Sequence, residues 1–243
     1  MIAPTSFDVR LVRAEKISPS VRHLVFERTD GQIVNFEPGQ WVNLVMPGAD
    51  GEIKRSYSIA SAPLQSPDFE IAVTRVEGGP GSGFLHAMEV GTVLRAIGPH
   101  GLFTRPAGSD APALMVATGT GVAPFRSMIL AALAAQSKTP VTLLFGVRHE
   151  ADILYRNEFE RITQLHPYVH FAATLSRPDS AWTGLSGYVQ SHVPTLLQNL
   201  SERGGHSPHV LICGLDRMVS AVKDLCRKTL GVDRKRVHTE RYD

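Results

Sequence analysis

Cysteine is nearly absent: the 243 residues contain two, Cys213 and Cys226. Two thiolates cannot hold an iron–sulfur cluster of the usual four-thiolate kind, and their scarcity fits a reducing compartment. No apolar run approaches the roughly 20 residues that a membrane-crossing helix needs. Met1 to Thr5 lack the basic flank and apolar core of a signal peptide. A cytoplasmic protein with no membrane partner is therefore expected. The net charge is +2, too weak a field to suggest a nucleic-acid partner. Histidine is better supplied, with ten residues. The only close pair, His206-x-x-His209, lacks helical i, i+4 spacing and an intervening carboxylate, so no metal site is expected. Repeats, low-complexity tracts and long charge runs are also missing.

What is present is ordinary globular material: 43% apolar and 20% charged residues, in a length that suits two domains of roughly 100–140 residues. The first half alternates short β-rich runs with turn residues. Strands are expected over 7–14, 21–27, 40–46, 55–60, 69–76 and 92–97. Six strands at this spacing suggest a small antiparallel barrel or sandwich. One glycine-rich loop interrupts them, from Gly78 to Gly83, and feeds a short helix over 84–88 with Ser82 near its cap. A helix start of this kind offers free N–H groups and a positive dipole end to a phosphate.

A breaker-rich linker over 104–112 separates this β domain (1–106) from a second domain (112–243). There strands and helices alternate. Strands are expected over 113–117, 141–146, 169–174, 209–213 and 236–240. Helices are expected over 124–135, 156–165, 187–197 and 216–230. Such alternation builds a parallel sheet covered on both faces, with ligands beyond the carboxyl ends of its strands. Thr118-Gly119-Thr120-Gly121 sits at the first of those ends. Its two glycines let backbone N–H groups approach a pyrophosphate. Pro124 replaces the third glycine of the dinucleotide fingerprint, which is tolerated in a first helical turn.

Arg55-Ser56-Tyr57-Ser58 lies on a strand, where Arg55 and Tyr57 point to one face and Ser56 and Ser58 to the other. A guanidinium beside an aromatic ring suits a ligand that joins a phosphate to a flat ring, as a flavin nucleotide does.

Three motifs occur in order: Arg55-x-Tyr57-Ser58, then Gly119-Thr120-Gly121-Val122-Ala123-Pro124, then Cys213-Gly214-x-x-x-Met218. Together the set resembles the ferredoxin–NADP reductase superfamily over nearly the whole chain. The resemblance implies a six-stranded antiparallel flavin-binding barrel followed by a parallel-sheet NAD(P)-binding domain. It implies Arg55, Ser56, Tyr57 and Ser58 as flavin contacts: Arg55 at the phosphate, Tyr57 against the ring and Ser58 near N5. Gly81, Ser82 and Gly83 would form a second phosphate contact, with Val73 and Arg75 on the strand passing the flavin's outer parts. Thr120 would lie near flavin and nicotinamide. Gly119, Thr120, Gly121, Cys213, Gly214 and Met218 would hold the nicotinamide nucleotide, with Cys213 near the nicotinamide C4.

Glu240-Arg241-Tyr242-Asp243 resembles the plant-type ending, in which the aromatic covers the flavin and the carboxylate helps with protons. Asp243 departs from that pattern by adding a side chain and the terminal carboxylate behind Tyr242. The catalytic set implied is thus Ser58, Cys213 and Glu240. Arg148 and the pair Ser176-Arg177 follow strand ends in the second domain. Ser176-Arg177 resembles NADP-using members, so NADPH is favoured over NADH, although 182–189 looks as much like the NADH-using ones. A pyrophosphate site at Gly81–Gly83 favours FAD over FMN.

The function implied is transfer of electrons from NAD(P)H through FAD to a one-electron carrier, ferredoxin or flavodoxin, by a monomer. A flavin or ferric reductase, a direct reductase of an oxygenase, and a non-catalytic electron-transfer or redox-sensing subunit remain as alternatives.

Overall fold

The computed structural model describes residues 4–63, 66–204 and 207–242. His206 of the histidine pair, Asp243 and the first three residues lie outside that set. The chain divides into two compact units. One comprises Met1–Ala107 with Arg126–Ala135, and the other comprises Gly108–Phe125 with Gln136–Asp243.

The first unit is built on β1 (Thr5–Ser18), β2 (Val21–Arg28), β3 (Trp41–Gly48), β4 (Gly51–Ser58), β5 (Asp68–Thr74) and β6 (Val93–His100), with one helix, α1 (Pro80–Ala87), before β6. The strands form one six-stranded sheet in the order β4-β3-β6-β1-β2-β5, antiparallel throughout. Beyond β4, an Ile59–Ile71 bridge links the two edges of the sheet. This is the expected half-barrel.

Its concave side holds Leu11, Leu24, Phe26, Val42, Leu44, Phe69 and Ile71, all fully buried. Phe26 and Phe69 stack at 5.7 Å between centroids. Each such side chain contributes about 1.5–3 kcal/mol of burial. The alternation of buried and exposed positions along β1 over Phe7–Arg10 is what a sheet with one covered face requires. In the same unit, Arg126 donates to the carbonyl of Ala60 at 2.9 Å and is ion-paired with Glu70.

The second unit carries β7 (Ala113–Thr118), β8 (Val141–Val147), β9 (Val169–Leu175), β10 (Leu185–Ser186), β11 (His209–Leu215) and β12 (Val237–Tyr242). They make a parallel sheet in the order β10-β9-β8-β7-β11-β12. Helices α3 (Arg156–Leu165), α4 (Val193–Gly204) and α5 (Asp216–Asp224) belong to this unit. Helix α2 (Ala123–Ala134) begins in it. β7 is buried at every position before Thr118, the continuous apolar run of a strand covered on both faces. From β7 the chain goes outward one way to β8, β9 and β10, then crosses back to β11 and β12. The switch point therefore lies between the carboxyl ends of β7 and β11, where such sheets bind ligands.

Several boundaries differ from those the sequence suggests. α1 starts at Pro80, four residues early, because proline suits the first helical position. The helix expected over 187–197 is missing over 187–192 and begins only at Val193. Gly187 has φ +99° and closes a turn by donating to Leu175 O at 2.8 Å. A 3-10 turn (Val189–Ser191) follows, and α4 begins at Val193 with Pro194 in its first turn. The final strand runs past Glu240 to Tyr242, and the last helix ends in a π-helical turn, Leu225–Thr229.

Candidate active site

The motif strand β4 lies at the sheet edge, paired with β3 so that Arg55 stands opposite Leu44, Tyr57 opposite Val42, Ser56 opposite Asn43 and Ser58 opposite Trp41. Directly opposed residues share a face. Arg55 and Tyr57 therefore lie on the side of the core residues Val42 and Leu44, and Ser56 and Ser58 on the other. Tyr57 packs against the core, and burial pushes its phenol up to about 12 in spite of the Arg55 guanidinium. Ser56 donates to Asn43 Oδ1 at 3.0 Å. Ser58 is buried at the end of the strand.

Helix α1 meets this strand at its first turn. A Cβ on Gly81 would fall 2.9 Å from Arg55 Cγ and 3.2 Å from Met46 Cε. The missing side chain is what lets the arginine stem lie along the helix start. At Gly83 a Cβ would meet nothing within 4 Å. Gly83 N–H is spent on Gly79 O at 2.8 Å, which leaves Gly81 and Ser82 as the N–H groups of the first turn without a helical acceptor.

Ser82 is buried in the first turn of α1. Its hydroxyl accepts from Val76 N at 3.0 Å and sits 3.2 and 3.3 Å from the carbonyls of Gly79 and Val76. That hydroxyl closes the loop onto the helix. Val73 is buried in the core, and its carbonyl meets His86 Nε2 at 2.9 Å. Arg75 reaches Gly83 O at 3.5 Å.

In the second unit, two turns interlock at the switch point. Gly119 has φ +54° and open space where a Cβ would be. This conformation favours glycine, and it leaves the backbone approachable. Gly121 is the reverse case: its Cβ would lie 2.4 Å from Cys213 O and 2.8 Å from Gly214 Cα. Gly214, at φ +144°, would place a Cβ 2.3 Å from Thr118 Oγ1 and 3.0 Å from Met218 Cε. Gly121, Cys213, Gly214 and Met218 are thus one close-packed cradle, with Thr120 half-buried beside it.

β12 then completes the cradle. Cys213 is paired in register with Glu240, and Leu215 with Tyr242. The buried Cys213 thiol approaches Glu240 Oε2 at 3.9 Å, and the Tyr242 side chain hydrogen-bonds the same sulfur. Burial, and then the Glu240 carboxylate, push this thiol well above its ordinary range. Arg241 anchors the strand to α5 through Asp216, 2.9 Å away.

Arg148, Ser176 and Arg177 come together at the carboxyl ends of β8 and β9. The N–H groups of Ser176 and Arg177 bond Val147 O at 3.0 Å and Arg148 O at 2.9 Å. Both arginines are exposed. Among the described residues neither is in an ion pair.

The residues present fit the groups the motifs imply. A cation and a glycine-floored helix start suit a pyrophosphate, and an open glycine turn at a sheet's switch point suits a second nucleotide. Sequence reasoning missed Asn43, which places Ser56. It also missed the hold of Arg22 on α1, whose partners are 63 or more residues away.

Comparison with known proteins agrees. The family described as "Oxidoreductase FAD-binding domain" matches residues 8–104, and "Oxidoreductase NAD-binding domain" matches residues 115–224. The two matches define a flavin- and nicotinamide-dependent oxidoreductase. Ferredoxin--NADP reductase B of Sorangium cellulosum (strain So ce56) is 56% identical over 244 residues, covering 100% of both chains. The chain belongs to the ferredoxin–NADP reductase superfamily. Phenol hydroxylase P5 protein of Acinetobacter pittii (strain PHEA-2) is 28% identical over 97% of this chain, which spans 65% of that relative's length. Among solved structures, the Amycolatopsis cytochrome P450 reductase GcoB is 26% identical, with a TM-score of 0.83 over 98% of this chain and 70% of that one. The protein is an enzyme that uses FAD and NAD(P)H in electron transfer.

Proposed function

We propose that the protein carries electrons from NADPH through FAD to ferredoxin, an acceptor that takes them singly. The observation that carries the flavin reading is the seating of the Arg55 stem on Gly81 at the start of α1. The acceptor and the preference for NADPH rest on the full-length similarity to the Sorangium reductase and on the two exposed arginines Arg148 and Arg177.

Bound FAD would supply the redox chemistry, accepting hydride and releasing electrons one at a time. The chain supplies position and charge. Arg55 and the Gly81 and Ser82 N–H groups bind the pyrophosphate, a match of fixed fork and helix terminus to anion. Tyr57 gives the flavin ring a flat apolar wall, and Ser58 places a hydroxyl at the end of the motif strand. Gly119, Thr120 and Gly121 receive the nicotinamide nucleotide. Arg177 and Arg148 bind its 2′-phosphate. Cys213, kept as a neutral thiol by burial and Glu240, packs where the nicotinamide ring lies without adding a charge. Glu240 holds or moves a proton at its carboxylate, and the Tyr242 side chain hydrogen-bonds the same sulfur.

Flavin released from the purified protein and identified by chromatography tests the first half of this reading. FAD in near-equimolar amount supports it, and FMN or no flavin overturns it. A second reading, direct reduction of an oxygenase component, draws on the similarity to the phenol hydroxylase P5 protein. It predicts turnover with an oxygenase in the absence of ferredoxin.

A further inference from the structure

Arg22, on β2, sends its Nη1 to three carbonyls that end α1: Leu85 O at 2.8 Å, His86 O at 3.0 Å and Met88 O at 2.9 Å. Among the described residues no carboxylate pairs with it. The charge is answered by the carbonyl end of the helix alone, where a cation is favoured.

The other end of α1 is left bare. Its N-cap, Gly79, makes no side-chain cap hydrogen bond, and no acidic residue lies in the first turn. A helix of eight residues has marginal stability of its own. With its last carbonyls unsatisfied, the final turn would fray and the dipole would shorten. The open end meets Arg55, at Gly81.

We infer that Arg22 is a positioning residue for FAD: it fixes the carbonyl end of α1 so that the opposite end is held, with its N–H groups aligned, beside Arg55. This rests on the reading of α1 as the pyrophosphate site. Leu85 is fully buried, His86 holds Val73 O and Ser82 holds Val76. The helix therefore keeps its place in the fold when Arg22 is replaced, and what loosens is its alignment.

The test is a titration of the wild-type, Arg22→Met and Arg22→Lys apoproteins with FAD and with riboflavin, which has the ring system but no phosphate. Flavin fluorescence is the readout. Arg22→Met weakens FAD by about tenfold or more and leaves riboflavin unchanged, and Arg22→Lys recovers FAD to within about threefold, since it returns the charge. Unchanged FAD affinity in Arg22→Met overturns the inference. So does an equal loss for FAD and riboflavin, which would mean a general loosening of the barrel. Should Arg22→Met not fold, Arg22→Gln keeps donors without charge and must show the same FAD-selective loss. A wild-type protein that does not bind FAD would instead remove the pyrophosphate reading itself.

Discussion

Glu240 stands directly opposite Cys213 across β11 and β12, with its Oε2 3.9 Å from the thiol sulfur. A carboxylate beside a buried thiol makes the thiolate costly, and the raised pKa follows from burial first and Glu240 second. Cys226 is likewise pushed up to about 11 by burial. A thiol whose pKa is raised on folding binds its proton more tightly in the folded state. Its stabilisation is complete below the unfolded value of about 8.5 and is lost as pH rises toward the folded one. Iodoacetamide at pH 8 should label neither cysteine in the native protein and both in urea. The thermal midpoint should fall above about pH 9, and Cys213→Ser should flatten that slope. Rapid labelling of Cys213 in the native state would refute this.

Arg55→Ala should lower FAD affinity by about 10–100-fold, the worth of charge-assisted hydrogen bonds to an anion. Gly81→Ala should act in the same direction without touching the arginine, because its Cβ would displace the stem from a position 2.9 Å away. Fluorescence titration of the apoproteins measures both. A Gly81→Ala protein with wild-type affinity would show that the contact does not position Arg55.

The two glycines of the nucleotide turn should respond differently. Gly121→Ala drives a Cβ to within 2.4 Å of the Cys213 backbone. It should cost about 1–3 kcal/mol of overpacking and weaken NADP⁺ binding. Gly119→Ala has space but must hold φ +54°, which costs about 1–2 kcal/mol with less effect on the cradle's shape. Denaturant unfolding and NADP⁺ difference spectroscopy separate the two cases.

Arg177→Ala and Arg148→Ala should each raise KM for NADPH by about tenfold, the loss of one charge-assisted contact, and leave KM for NADH nearly unchanged. Steady-state reduction of ferricyanide with each cofactor checks this. Equal effects on both cofactors would place these arginines away from the 2′-phosphate.

Much of this was legible locally. The β-rich runs of β2 and β5, the all-apolar β7 and the glycine turn after it each announce themselves within ten residues. What was not legible depends on distance or brevity. β10 has two residues, too few for any period to show. The helix expected from Gly187 starts only at Val193, where Pro194 marks the first turn. The Arg22 clamp spans 63 to 66 residues, and the facing of Cys213 and Glu240 is a register between parallel strands. Neither can be read from neighbours in sequence.

In the proposed function, electrons pass from NADPH through bound flavin to a one-electron carrier. NADPH-driven reduction of cytochrome c by the FAD-loaded protein, with and without added ferredoxin, tests it most directly. Reduction should be slow without ferredoxin, and its rate should rise and saturate as ferredoxin is added. A FAD-loaded protein that oxidises NADPH no faster with ferredoxin than without would contradict it.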